Sequence, residues 1–200
     1  MPVPNQAVLD YLATRASYPA KVMTGPAPSR DQLMAILAAA TRVPDHGKLE
    51  PWRLVVIEKP AMARLAALAE ARARETGGDA EKIDEKIDKG RGQFDRGHLA
   101  VVVIAAPKAA PKVPAVEQLL SAGALCMNIV HAATAAGWGA NWLTGWVSHD
   151  PVFAARAFGC TGDETVAGII HIATPAAPVP DRPRPDLGRI VSFAPVAQGA

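Results

Sequence analysis

The sequence predicts a layered domain of the α+β or α/β class, and three observations carry that reading. Leu99 to Ala105 is a run of seven apolar residues, the pattern of a strand covered on both faces. Ala115 to about Ala136 is a long, mostly apolar segment that would make a helix of roughly 33 Å, enough to cross a small domain. Helix-like and strand-like stretches alternate irregularly around these two landmarks, with no internal repeat and no obvious linker. The 200 residues suit one domain over 1–200, with a charged helical excursion at about 76–97 and an extended C-terminal arm at about 174–200.

The elements follow in chain order. Asn5 to Thr14 has apolar residues at Ala7, Val8, Tyr11 and Leu12, a helical spacing that ends at the turn Arg15-Ala16-Ser17. Ser29 and Gln32 stand in capping-box relation, and Leu33, Ile36, Leu37 and Ala40 continue as a helix from about Arg30 to Thr41. Arg42 to Trp52 holds two prolines and a glycine and reads as a loop. Arg53 to Glu58 reads as a buried strand closed by Lys59-Pro60, and Ala61 to Glu75 as a helix broken at Gly77-Gly78. Asp79 to Lys89 alternates acids and bases around Ile83 and Ile87, which predicts a solvated, mobile and peripheral helix. After the long helix, Gly137 and Gly139 hand over to a strand near Ala140 to Leu143. Asp150-Pro151 opens a short helix that Gly159 closes, and Thr165 to Ala173 is a last buried strand. From Thr174 to Pro185 nearly every second residue is proline, so this stretch leaves the core in extended form.

Charge and composition exclude several classes. With 21 Lys and Arg against 19 Asp and Glu, the net charge of +2 offers no electrostatic case for nucleic acid or an anionic membrane. The most apolar segment is interrupted by Glu117, Gln118, Ser121, Asn128 and His131, which would be costly in hydrocarbon. Cys126 and Cys160 form no metal or disulfide motif, and the N-terminal residues lack a basic stretch followed by an apolar one, so a reduced, cytoplasmic setting is expected. The sequence has no G-x-S-x-G elbow, no P-loop, no complete dinucleotide fingerprint and no metal-binding histidine spacing, so no metal site is expected.

Three segments look unlike scaffolding. Arg15-Ala16-Ser17 suits a phosphate and equally a plain helix C-cap. Arg42 to Trp52 gathers Arg42, His46 and Lys48 in one loop, which suits a ligand or plain solvation. Gly137 to Trp146 holds three of the four tryptophans and fits a ligand wall or an aromatic core strand.

In order along the chain, these segments resemble the nitroreductase family of FMN-dependent oxidoreductases, in its short bacterial branch. The matching stretches are Thr14-Arg15-Ala16-Ser17, Arg42-Val43-Pro44-Asp45-His46 with Pro51-Trp52, Lys112-Val113-Pro114 with Ser121-Ala122-Gly123, Gly139 to Gly145, and Ala157-Phe158-Gly159-Cys160. The resemblance implies a mixed sheet flanked by helices, an intertwined homodimer, and FMN at the subunit interface. It implies that Arg15, Ala16 and Ser17 lie at the FMN phosphate and ribityl chain, with Ala16 in place of a second arginine. Arg42 and His46 are implied to lie near the flavin of the other subunit, and Trp142, Leu143 and Thr144 to line the flavin. Arg182 and Arg184 are implied to meet the phosphate. Lys48 and Glu50 stand where many relatives have Asn and Gln, and Leu143 replaces an arginine. The implied activity is hydride transfer from NAD(P)H through FMN to a nitroaromatic, quinone or similar small acceptor, in ping-pong order and with no catalytic side chain assigned. An FMN enzyme of narrower purpose, dehydrogenase or flavin-modifying, and a non-catalytic flavin-binding module remain open.

Overall fold

The computed structural model describes residues 1–194. Among the described residues the chain forms two compact units, residues 17–178 and residues 1–16 with 179–194. The end of the expected arm, residues 195–200, lies outside the described residues.

The larger unit is organised by β3 (Leu99–Ala105), every residue of which is buried. Its side chains alternate between two cores, as a pleated strand requires. Leu99, Val101, Val103 and Ala105 face α2 (Arg30–Ala40) and α5 (Ala115–Ala135). Ala100, Val102 and Ile104 face α3 (Lys59–Glu75), Phe94 of α4 (Ala80–Asp95), Val147 of α6 (Trp146–His149) and Phe153 of α7 (Pro151–Phe158). The expected α+β layering, a sheet flanked by helices, is what forms.

β3 pairs with β2 (Trp52–Glu58) on one side and β5 (Thr165–Pro175) on the other, and β5 also pairs with β4 (Gly139–Leu143) and the two-residue β1 (Met23–Thr24). Every one of these pairings is antiparallel, where the resemblance implied a mixed sheet. Two helices lie between β2 and β3, so the chain returns to the end it left and β3 runs back along β2. One helix lies between β3 and β4, which therefore run the same way, but β5 separates them and is antiparallel to both.

Local signals set the helix ends. Ser29 and Gln32 form the capping box that opens α2. Asp150 caps α7 by accepting from Phe153 N–H at 2.7 Å, and Gly159 closes it at a left-handed φ of 67°. Lys59 and Pro60, read as the close of a strand, instead begin α3, because proline at a first helical turn loses no bond.

The charged excursion departs most from expectation. α4 runs on to Asp95 and buries Ile87, Gly90 and Phe94, so it is not peripheral. Phe94 stacks on Phe153 with centroids 5.9 Å apart, and such burial contributes about 1.5–3 kcal/mol. Gly90 is one of the buried positions of this helix. The Trp146 ring lies against it, and a Cβ would come within 2.5 Å of Trp146 Cζ2.

The smaller unit holds α1 (Gln6–Thr14), capped by Asn5, and α8 (Leu187–Ile190), opened by Asp186. Neither helix buries a residue, and Val8, Leu9, Leu12, Leu187, Ile190 and Phe193 are exposed.

His171 on β5 is fully buried, with neither ring nitrogen hydrogen-bonded among the described residues. Burial pushes its pKa down from 6.5 to about 4. The native state therefore holds it neutral while the unfolded chain protonates below pH 6.5, so stability is full above that pH and falls as pH drops toward 4. One proton allows a slope of at most about 1.4 kcal/mol per pH unit. Urea unfolding between pH 7.5 and 4.5 should show this loss, and His171→Leu should flatten it; an equally steep dependence in the variant would assign the loss elsewhere.

Candidate functional site

One face of α5 builds the first part of the site. Glu117, Ser121 and Asn128 recur at helical spacing and each holds the loop that follows α2. Glu117 Oε2 lies 2.7 Å from His46 Nδ1. The Ser121 hydroxyl donates to Pro44 O at 2.7 Å and accepts from Trp52 Nε1 at 3.2 Å. Asn128 Nδ2 donates to the carbonyls of Ala40 and Arg42 at 3.2 Å each. Asp45 completes the loop from within, its carboxylate accepting from Leu49 N–H at 3.1 Å and Glu50 N–H at 2.8 Å. This bracing holds Lys48 and Glu50 at left-handed φ of 53° and 47°, which costs a non-glycine residue roughly 1–2 kcal/mol each.

His46 and Arg42 are thus exposed but differently engaged. His46 is paired with Glu117, whereas the Arg42 guanidinium has no hydrogen-bonding or ionic partner among the described residues. A cavity of about 300 Å³ lies beside them, lined by Pro44, His46, Glu117, Leu120, Ser121 and Ala124.

β4 builds the second part. Trp142 is 37% exposed, donates its indole N–H to Ala167 O at 3.3 Å, and lies against the backbone of Gly168. A Cβ at Gly168 would stand 2.6 Å from Trp142 Cδ1, so this glycine makes room for the ring. Gly123 of α5 faces the far edge of the same indole, its would-be Cβ 4.0 Å from Cη2. Leu143 is half-buried at the strand end and lines a second groove with Gln93 and Arg96, and Thr144 is exposed.

The smaller unit, described by itself, carries most of the remaining residues singled out in the sequence. Arg184 donates to Ala13 O, two residues before Arg15, and pairs with Asp181 at 2.9 Å. Residues 15 and 184, distant in sequence, are thereby drawn to one stretch of chain. Arg182 is exposed, its carbonyl accepting from Arg184 at 2.7 Å, and Arg15 and Ala16 follow the end of α1 half-buried. Ser17 is half-buried at the start of the larger unit.

The sequence reading missed Glu117, Ser121 and Asn128 as loop anchors, although it recorded them as polar interruptions of an apolar helix. Their spacing of four and seven residues was the available signal. It also missed Gly168 and Gln93, whose importance lies in contacts across the fold.

Other chemistries have little support. Burial raises the Cys126 thiol to about 12 and also raises Cys160, so neither is a ready nucleophile. Among the described residues no group of His, Cys, Asp and Glu could hold a metal, and no helix is long and apolar enough to cross a membrane.

A sheet flanked by helices on both faces, with a braced loop and an exposed indole at a strand end, defines the larger unit as an α+β domain. The chain belongs to the nitroreductase family, whose model, described as "Nitroreductase family", matches residues 14–174. It is 37% identical over 167 residues to the "Putative NAD(P)H nitroreductase YdjA" of Escherichia coli (strain K12), covering 84% of this chain and 87% of that one. A Haemophilus influenzae relative, "Putative NAD(P)H nitroreductase", is 36% identical over 169 residues, covering 83% of this chain and 87% of its own. Among solved structures, the nitroreductase-like family protein of Bacillus cereus superposes with a TM-score of 0.78 at 19% identity, covering 97% of this chain and 99% of that one. The nitroreductase with bound FMN from Bacteroides fragilis gives 0.70 at 19%, covering 96% and 100%. At such identities these two establish the fold.

The Gly168–Trp142 contact gives a direct test. Gly168→Ala should displace the indole, cost about 1–3 kcal/mol by overpacking, and alter near-UV circular dichroism and tryptophan emission. Spectra identical to the unmodified protein would contradict the contact.

Proposed function

We propose that this chain is an FMN-dependent oxidoreductase that uses NAD(P)H to reduce a nitroaromatic, quinone or similar small acceptor. The carrying observation is an indole face left exposed at the end of β4 in a member of this family, together with relatives named as NAD(P)H nitroreductases.

The residues present fit the cofactor. A phosphate dianion needs fixed cations, and Arg184 is already drawn toward the segment that carries Arg15. Arg15, Ala16, Ser17, Arg182 and Arg184 are assigned to the phosphate and ribityl chain. A flat heteroaromatic ring needs an apolar wall, and Trp142 offers one, backed by Gly168 and held at its nitrogen by Ala167 O. Trp142, Leu143, Thr144, Arg42 and His46 are assigned to the ring. FMN, when bound, would supply the two-electron chemistry that links NAD(P)H oxidation to acceptor reduction in ping-pong order. The chain's own part is to bind, to orient and to keep the ring face apolar, and no side-chain acid or base is assigned.

The proposal includes a homodimer. Val116, Leu119 and Leu120 on α5 are 51–66% exposed, and the apolar side chains of α1 and of residues 187–193 are also uncovered. Exposed apolar side chains in such number on each unit suit association, and a second copy is the partner proposed. A cytoplasmic setting completes the reading.

Adding FMN to the purified protein should give flavin absorbance that bleaches anaerobically with NADH or NADPH and returns with a nitroaromatic or quinone acceptor. Tryptophan emission should fall on FMN binding, and Trp142→Phe should remove most of that quenching. Absence of flavin absorbance overturns the reading, and flavin that NAD(P)H does not reduce leaves a binding module instead. Sedimentation at micromolar concentration should give the mass of two chains; a folded monomer would sink the dimer.

A further inference from the structure

α4 holds the end of β4 at two points. Trp146, the first residue of α6, donates its indole N–H to Lys86 O at 2.8 Å and rests on Gly90, with Lys86 Nζ 4.8 Å from the ring centroid. Further along α4, the Gln93 side-chain amide lies on the backbone of Gly145, where a Cβ would overlap Nε2. Gly145 has an extended φ of 169°, so the close approach of Gln93 requires glycine and the dihedral does not. Gln93 Nε2 stands 3.5 Å from Thr144 O, while Gln93 Oε1 is buried without a hydrogen-bond partner among the described residues.

The orphaned acceptor is informative. Burying one without a donor costs about 1–3 kcal/mol, so Gln93 is held here against its own solvation. A trans peptide points its C=O and N–H in opposite directions. With the Thr144 carbonyl turned toward Gln93, the Gly145 N–H is directed away from α4, and among the described residues it has no acceptor. That N–H lies directly after Leu143 and Thr144, the segment assigned to the ring.

We infer that Gln93 is a positioning residue: by holding the Thr144–Gly145 peptide it presents the Gly145 N–H as a fixed donor to an acceptor atom of the bound flavin ring. The inference rests on the flavin reading above. A donor fixed at the ring stabilises the form carrying more negative charge there, so Gln93 acts on both affinity and reduction potential. It also gives α4 a task that its charged surface hides.

Gln93→Leu keeps the bulk and removes the donor; Gln93→Glu keeps the shape and sets carboxylate oxygens toward Thr144 O. Amide exchange over residues 142–148 is measured without FMN, and FMN affinity and midpoint potential are measured with it. Both variants should keep the melting temperature within a few degrees, exchange about tenfold faster at Ser148, whose N–H donates to Gly145 O at 2.9 Å, and bind FMN about tenfold more weakly at a displaced potential. Unchanged exchange overturns the inference, and so does faster exchange with unaltered affinity and potential, which would make Gln93 a structural contact alone. Should Gln93→Leu not fold, Gln93→Glu decides by the same criteria. Titration of the unmodified protein separates the two readings: failure to take up FMN defeats the proposed function and the positioning role with it, while FMN uptake with indifferent variants defeats Gln93 only.

Discussion

The whole arrangement depends on burying β3 and β5 between two helical layers. β3 is buried at every residue and β5 along most of its length, and β5 is bonded on both edges, so neither strand can shift by one residue without exchanging its two cores. α5 is fixed to one face of that sheet by Ala122, Leu125, Cys126, Ile129 and Ala133. The adjoining row is then fixed too, and with it Glu117, Ser121 and Asn128, which hold the basic loop. The position of the loop is therefore a consequence of core packing two layers away.

A second constraint runs through the far end of the sheet. Three glycines each receive a large side chain against bare backbone: Gly168 takes Trp142, Gly145 takes Gln93 and Gly90 takes Trp146. Together they lock the five residues from Trp142 to Trp146 between β5 and α4. Interlocking of this kind fixes geometry more tightly than hydrogen bonds at a solvated strand end, because displacement in either direction meets a closed surface. It makes a strand terminus, ordinarily a place of fraying, rigid enough to carry a ligand wall.

The elements legible in the sequence were those with local causes. The apolar run of β3, the Ser29–Gln32 capping box, and the Asp150-Pro151 to Gly159 frame of α7 each specify their own geometry. β1 has two residues and exists only through pairing with Thr174 and Pro175, so no local pattern announces it. The charge alternation that marks α4 in the sequence stops at Lys89, short of Asp95, and only the Trp146 ring explains why Gly90 is needed. The candidate site divides in the same way. Loop and strand segments could be singled out by residue type, but the drawing of Arg184 to the Arg15 segment and the anchoring by α5 are tertiary facts.

The strained loop shows how these constraints meet. Lys48 and Glu50 hold backbone conformations that Asn or Gly would tolerate better, and together they cost roughly 2–4 kcal/mol. Asp45 offsets this with two hydrogen bonds to the backbone just beyond the turn, and Ser121 and Asn128 secure the residues before it. A loop shaped by sequence preference alone would relax Lys48 and Glu50. That it does not follows from bracing at both ends, and the same bracing leaves Arg42 extended from a fixed backbone with its guanidinium uncommitted within the chain. The strain and the free cation thus have one cause: a loop held to the α5 face rather than to its own lowest-energy turn.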